Sequence, residues 1–145
     1  FTGLSNCVQL SDPSFYVSPD GNDVPECGST QNPCQTISYT FSFCNNINYC
    51  TVNLLNGTYS YGSNTDFLPP SEFSLIGVYG KENTIIDYQY SNDSRGSGIN
   101  IKDLHTGEIT GITFINFASQ NSIKKLITVH EATLNDTNFL IANCK

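Results

Sequence analysis

The sequence predicts an all-β fold: a right-handed parallel β-helix, or solenoid, of about four coils, with a disulfide-rich N-terminal cap that contains one short helix. Three observations lead there. From residue 51 onward, short segments rich in β-branched and aromatic residues alternate with clusters of Gly, Asn, Asp and Ser; apolar residues recur at intervals of 21 to 28 positions; and five of the six cysteines and four of the six prolines fall in the first fifty residues. A chain of 145 residues with 38% apolar content fills one core, so we expect one domain, with an N-terminal arm and cap at 1–50 and coils at 51–145.

Within the cap, Phe15-Tyr16-Val17 is a short strand ended by the turn residues Ser18-Pro19-Asp20-Gly21-Asn22, and a loop runs on through Cys27 and Gly28. Asn32-Pro33 then offers an N-cap with Pro at the first helical position, and Ile37, Phe41 and Cys44 follow at spacings of four and three. This predicts the one helix, laid with that stripe over an end of the β core and stopped by Asn45-Asn46. The expected strands are 51–55, 73–78, 84–88, 98–101, 108–117, 126–129 and 133–142.

The repeat aligns these strands. Ile109, Phe114 and Ile115 match Leu134, Phe139 and Leu140 at an offset of 25, and Ile99 and Ile101 match Ile127 and Val129 at 28. Phe73 and Leu75 precede Ile99 and Ile101 by 26, and Val52 and Leu54 precede Phe73 and Leu75 by 21. Side chains recurring in this way stack on equivalent positions of the next coil. The competing β-sandwich requires tight hairpins, yet Asn56-Gly57, the strongest turn dipeptide, is not flanked by strands of matched length.

Composition excludes several functions. Only 13% of residues are charged and the formal charge is -7, so the surface is neutral, polar and repellent to phosphate backbones and anionic membranes; no nucleic-acid partner is expected. No apolar run reaches the ~18 residues of a membrane span. The chain opens at Phe1 and contains no Met, which reads as a mature or trimmed product. No cysteine pair has CxxC spacing, and His105 and His130 stand far from every cysteine, so neither a metal nor a cofactor is expected and the cysteines read as disulfides of an oxidising compartment. Three sequons, at Asn56, Asn92 and Asn135, agree with a secreted or cell-surface, glycosylated chain.

Phe15-Tyr16-Val17-Ser18-Pro19-Asp20-Gly21-Asn22-Asp23, followed by Asn32-Pro33-Cys34-Gln35-Thr36-Ile37, resembles the YVSPxGxD…PCxTI opening of pectin-lyase-like right-handed β-helix proteins. Residues 74–87 and Gly111-Ile112-Thr113-Phe114-Ile115-Asn116 are similar to the coils that follow the cap in that superfamily. The resemblance runs from about Phe15 to the end and implies the fold more than an activity, because the superfamily holds lyases, hydrolases, esterases and non-catalytic surface modules. The catalytic sets it implies for enzymes are missing. There is no paired Asp set with His-Gly and Arg-x-Lys, and the single Arg, Arg95, lies in the turn-rich stretch 91–98.

The remaining candidates carry mundane readings beside functional ones. Asp20, Asp23 and Glu26 offer hard oxygen donors for calcium, but Asp in turns needs no metal. Asp87 and Asp93 read as loop residues rather than an acid–base pair, and His105 as a solvated turn residue. Tyr59, Tyr61, Tyr79, Tyr88 and Tyr90 fall near strand ends, where they pack or form a stacking face for sugars.

Proximity favours disulfides Cys27–Cys34 and Cys44–Cys50, leaving Cys7 and Cys144 to join within one chain or between two. The strand 133–142 has little chain after it, so the far end of the coils reads as an open edge suited to head-to-tail self-association. The expectation is a non-catalytic extracellular structural or adhesive module, such as a filament subunit or surface-layer protein. The alternatives are the N-terminal part of a carbohydrate-active enzyme and a glycan-binding module.

Overall fold

A computed structural model of the chain describes residues 13–47, 49–60, 64–65, 67–89, 97–102, 106–116, 125–130 and 138–145. Among the described residues, ten strands and one helix follow in the order β1 (Ser14–Val17), α1 (Ile37–Ser42), β2 (Cys50–Leu54), β3 (Gly57–Ser60), β4 (Glu72–Gly77), β5 (Thr84–Asp87), β6 (Ser97–Lys102), β7 (Thr106–Thr110), β8 (Thr113–Ile115), β9 (Lys125–His130) and β10 (Asn138–Ala142). They form separate sheets: five strands ordered β1-β2-β4-β7-β10, three ordered β3-β5-β8, and the pair β6-β9. Among the described residues every strand pairing is parallel, against the hairpins that a sandwich requires.

The expected right-handed β-helix of about four regular coils is therefore corrected. The strands lie in three separate sheets rather than one closed winding, and no single period relates them. Ser14 pairs with Thr51, 37 positions on; Thr51 pairs with Ser74, 23 on; Ser74 pairs with Glu108, 34 on; and Glu108 pairs with Leu140, 32 on. Insertions of different length between strands cause the irregularity. The offset of 28 between Ile99 and Ile127 and between Ile101 and Val129 is the observed β6–β9 register. The others slip. Val52 pairs with Leu75 rather than Phe73, Leu75 with Ile109 rather than Ile101, and Ile109 with Ile141 rather than Leu134. The Val52 slip is by two positions, which keeps the same face inward, so hydrophobic pattern alone is blind to it.

Alternation along the strands builds the core. The inward column of the large sheet is Phe15, Val52, Leu75, Ile109 and Ile141, of which Val52, Leu75 and Ile109 are fully buried. Each such residue contributes about 1.5–3 kcal/mol of hydrophobic stabilisation. Tyr59, Ile86 and Phe114 stack in the same way across the three-stranded sheet. A bridge between Phe67 and Ile99 ties β6 to the rest.

The helix starts later than Asn32. Cys34 is occupied in backbone pairing with β1, donating to Tyr16 and accepting from Ser18, so Pro33 cannot begin a helix and Thr36 becomes the N-cap, its hydroxyl accepting from the Tyr39 amide. Ile37 and Phe41 face inward, and Phe41 stacks on Phe67 at 5.5 Å and meets Phe73 edge-on at 5.9 Å. Asn46, at φ 73°, turns the chain away. The disulfides are Cys27–Cys34 and Cys44–Cys50, the pairs that proximity favours, with Cα–Cα separations of 4.9 and 5.7 Å.

Two further departures have local causes. The expected strand 108–117 breaks into β7 and β8 because Gly111 adopts φ 68° and turns the chain from one sheet to another. Strand β3 lies outside the expected strands because Gly57-Thr58-Tyr59-Ser60 is short and polar. At the corner, Gly77 lies directly against Gly111, so a Cβ on Gly77 would collide with the Gly111 carbonyl, whereas one on Gly80 meets open space. Gly77→Ala is expected to cost at least about 3 kcal/mol in urea unfolding, and Gly80→Ala, at φ 79°, only about 1 kcal/mol. Equal midpoints for the two variants would show that the corner is not close-packed.

Candidate functional site

Three of the described carboxylates, Asp23, Asp87 and Glu108, are committed to the fold. Asp23 accepts from the Gln35 amide at 2.8 Å, the Thr36 amide at 3.0 Å and the Thr36 hydroxyl at 2.7 Å, fixing the entry to α1. Asp87 accepts from the Gln89 amide at 2.9 Å and the Asn116 side chain at 2.8 Å. Glu108 accepts from Ser74 at 3.2 Å, and Ser74 in turn shares a 2.6 Å hydrogen bond with Tyr49 on the outer face of the large sheet. Ser74 is buried, so this Tyr-Ser-Glu chain braces the strands and presents no nucleophile to solvent.

The calcium reading of Asp20, Asp23 and Glu26 fares no better. Both Asp23 oxygens are engaged, and the groups gathered around it with metal-like spacing are Cys27 and Cys34, whose sulfurs are joined in a disulfide and cannot act as thiolates. Asp93, Arg95 and His105 lie outside the described residues, as do Tyr61, Tyr90, Asn92, Asn135 and Cys7. His130 closes β9.

The three described tyrosines of the expected stacking set do not share a face. Tyr59 is fully buried beneath the large sheet, with its hydroxyl 2.9 Å from both the Val17 and the Leu55 carbonyl. Tyr88 is buried too. Only Tyr79 is open, 58% exposed on the turn after β4.

That turn is rigid. Gly80 donates to Gly77, Asn83 donates to Gly80, the Asn83 side chain donates to the Tyr79 carbonyl at 3.0 Å, and the Thr113 hydroxyl holds the Lys81 carbonyl at 2.7 Å. It walls a groove of about 460 Å³ where the corners of successive strands meet, lined by Val78, Tyr79, Lys81, Glu82, Thr110 and Asn143 among others. An exposed aromatic ring beside an amide, a hydroxyl and one charge of each sign suits a neutral polar ligand with an apolar face.

No protein-family model, curated protein or solved structure matches the chain. Its site must be read from its own geometry.

The second candidate is the end of the large sheet. The outer edge of β1 is closed: Tyr16 donates to Gly28, Ser18 donates to Cys34, and Cys34 donates back to Tyr16. At the other end β10 is terminal, paired only with β7 among the described residues. Leu140 and Ile141 are 54% and 50% exposed there, although Ile109, beneath Ile141 in the same column, is fully buried. Beyond β10 the chain turns at Asn143, φ 51°, and Lys145 exchanges hydrogen bonds with Ile112 and Phe114. Cys144, half-buried, is a free thiol.

The sequence signalled Tyr79 and the terminal strand, but not the engagement of Asp23 and Glu108. Those carboxylates meet partners 12 and 34 positions away, beyond any local pattern.

Burial raises the Tyr59 phenol far above its usual value near 10, the hydrogen bond to Leu55 opposing only part of the effect. The folded chain thus holds this proton more tightly than the unfolded chain. Its contribution to stability is complete below about pH 10 and is lost as pH rises beyond that, because the unfolded phenol ionises first. Tyr59→Phe should cost about 1–2 kcal/mol at pH 7 and flatten the decline in urea midpoint above pH 10. An unchanged alkaline slope would sink the assignment.

Proposed function

We propose that this chain is a non-catalytic extracellular module of structural or adhesive kind, secreted or held at the cell surface, which associates with a second copy of itself through the edge of β10. The observation that carries this is the half-exposed Ile141 at the top of a column whose inner members are sealed. Two disulfides are compatible with an extracellular location, and among the described residues no helix is long and apolar enough to cross a membrane.

The commitment of Asp23, Asp87 and Glu108 to hydrogen bonds within the fold supports a non-catalytic role. Association by simple head-to-tail stacking of the large sheet needs the outer edge of β1, which Gly28 and Cys34 occupy. A two-fold contact, with β10 of each copy antiparallel to the other, uses the edge of the large sheet that is unpaired among the described residues. The strand Asn138–Ala142 carries no charge, so two chains of net charge -7 meet there without opposing carboxylates.

Sedimentation equilibrium is expected to show a concentration-dependent dimer. Ile141→Lys should weaken it by at least about a hundredfold, since a two-fold contact loses each substituted side chain twice. A monomer at every concentration sinks the proposal. Denaturing electrophoresis with and without reductant tests whether the Cys144 thiol joins Cys7 of a second copy: a dimer band that collapses on reduction shows the bond between chains, and a monomer band under both conditions rules it out.

The groove beside Tyr79 favours a second reading, glycan binding without catalysis, in which a pyranose ring stacks on the exposed phenol face. Any hit on a glycan array should fall about tenfold in affinity with Tyr79→Ala. An array without hits, or binding indifferent to Tyr79, removes this reading.

A further inference from the structure

Asparagine side chains in this fold divide sharply by what they do. Asn53 is buried and donates to the Ser14 hydroxyl at 2.7 Å and to the Phe15 carbonyl at 3.3 Å. The Asn64 side chain accepts from the Ile37 amide at 3.0 Å at the start of α1. Asn32 donates to the Glu26 carbonyl, Asn83 to Tyr79, and Asn116 to Asp87. These amides are structural members and cannot be modified without breaking the contacts they make.

Asn56 is different. It sits on the bend between β2 and β3, it is exposed, and its side chain takes no part in the hydrogen bonds found among the described residues. It is also the first residue of Asn56-Gly57-Thr58. Thr58, which supplies the hydroxyl of the motif, is exposed as well. The residue between them is held. The Gly57 amide donates to the Asn83 carbonyl at 2.8 Å, Gly57 lies at φ 143°, and a Cβ there would press on the Pro19 ring. On either side of this fixed glycine, the amide-bearing Asn56 and the hydroxyl-bearing Thr58 are both exposed.

We infer that Asn56 is an N-glycosylation site that the folded chain carries without cost to its packing. The inference rests on the extracellular part of the proposed function, since only a chain entering a secretory compartment meets the donor. In the transfer, Nδ2 of Asn56 forms a bond to C1 of a saccharide carried on a lipid-linked pyrophosphate. The bond from C1 to the pyrophosphate oxygen breaks, the lipid pyrophosphate leaves with that electron pair, and the amide proton passes to solvent. No oxidant or reductant takes part.

Placement makes the site compatible with association. In the sheet order β1-β2-β4-β7-β10, the strand leading into Asn56 is β2, three strands from β10, or about 14 Å across the sheet. The attachment point therefore does not lie on the β10 edge.

The test expresses the full chain behind a heterologous secretion signal in eukaryotic cells. The secreted protein is treated with peptide-N-glycosidase in heavy-oxygen water, and residue 56 is read by mass spectrometry. Conversion of Asn56 to labelled Asp in most molecules is expected. Asn56→Gln and Thr58→Ala should each remove one glycan from the intact mass, and Thr58→Ser should retain it. An unlabelled Asn56 in secreted protein that contains the Cys27–Cys34 and Cys44–Cys50 disulfides overturns the inference while leaving the extracellular reading in place. Retention of the chain inside the cell with those cysteines reduced overturns the extracellular reading, and the inference with it.

Discussion

Stacking of inward side chains between parallel neighbours is the constraint on which the rest of this molecule depends. Val52, Leu75 and Ile109 lie in one column because β2, β4 and β7 pair in register, and that register holds only while the corners leading out of the strands superimpose. Gly77 and Gly111 meet backbone to backbone at that corner, where no side chain fits. Parallel pairing demands long connections, and these carry the features of greatest interest: the helix, the disulfide loop, the rigid turn at Tyr79 and the bend at Asn56.

The two ends of the large sheet are treated differently. At β1, the loop closed by Cys27–Cys34 supplies backbone groups to the outer edge, and Asp23 locks the same loop to the entry of α1. The disulfide and the carboxylate thus act together to finish an edge that would otherwise invite another strand. No comparable device covers β10 among the described residues, and Leu140 and Ile141 remain exposed. That asymmetry, seen most directly at Ile141, underlies the proposed structural role.

Polar groups that would suggest chemistry in a list of residues prove to be braces. Asp23, Asp87 and Glu108 each accept bonds that join elements distant in the chain, and Tyr59 spends its hydroxyl on the carbonyls of Val17 and Leu55. In a chain with so few charges, each carboxylate has a large share of the work of satisfying backbone and side-chain donors.

Strand-rich character, the positions of most strands, the two local disulfides and the 56–58 sequon were legible in the residues themselves, because each depends on neighbours within a few positions. β-Branched runs, turn clusters, short cysteine spacings and a three-residue motif are local quantities. Pairing was only partly legible. Ile99 and Ile127 were aligned correctly, but Val52 was matched to Phe73 instead of Leu75, since a two-residue slip preserves the buried face and insertions between strands vary in length. The division into separate sheets, the break at Gly111, the start of α1 at Thr36 and the burial of Tyr59 and Tyr88 beside an exposed Tyr79 were decided by tertiary structure alone. Each depends on which distant segment arrives alongside, and no local pattern of residues encodes that.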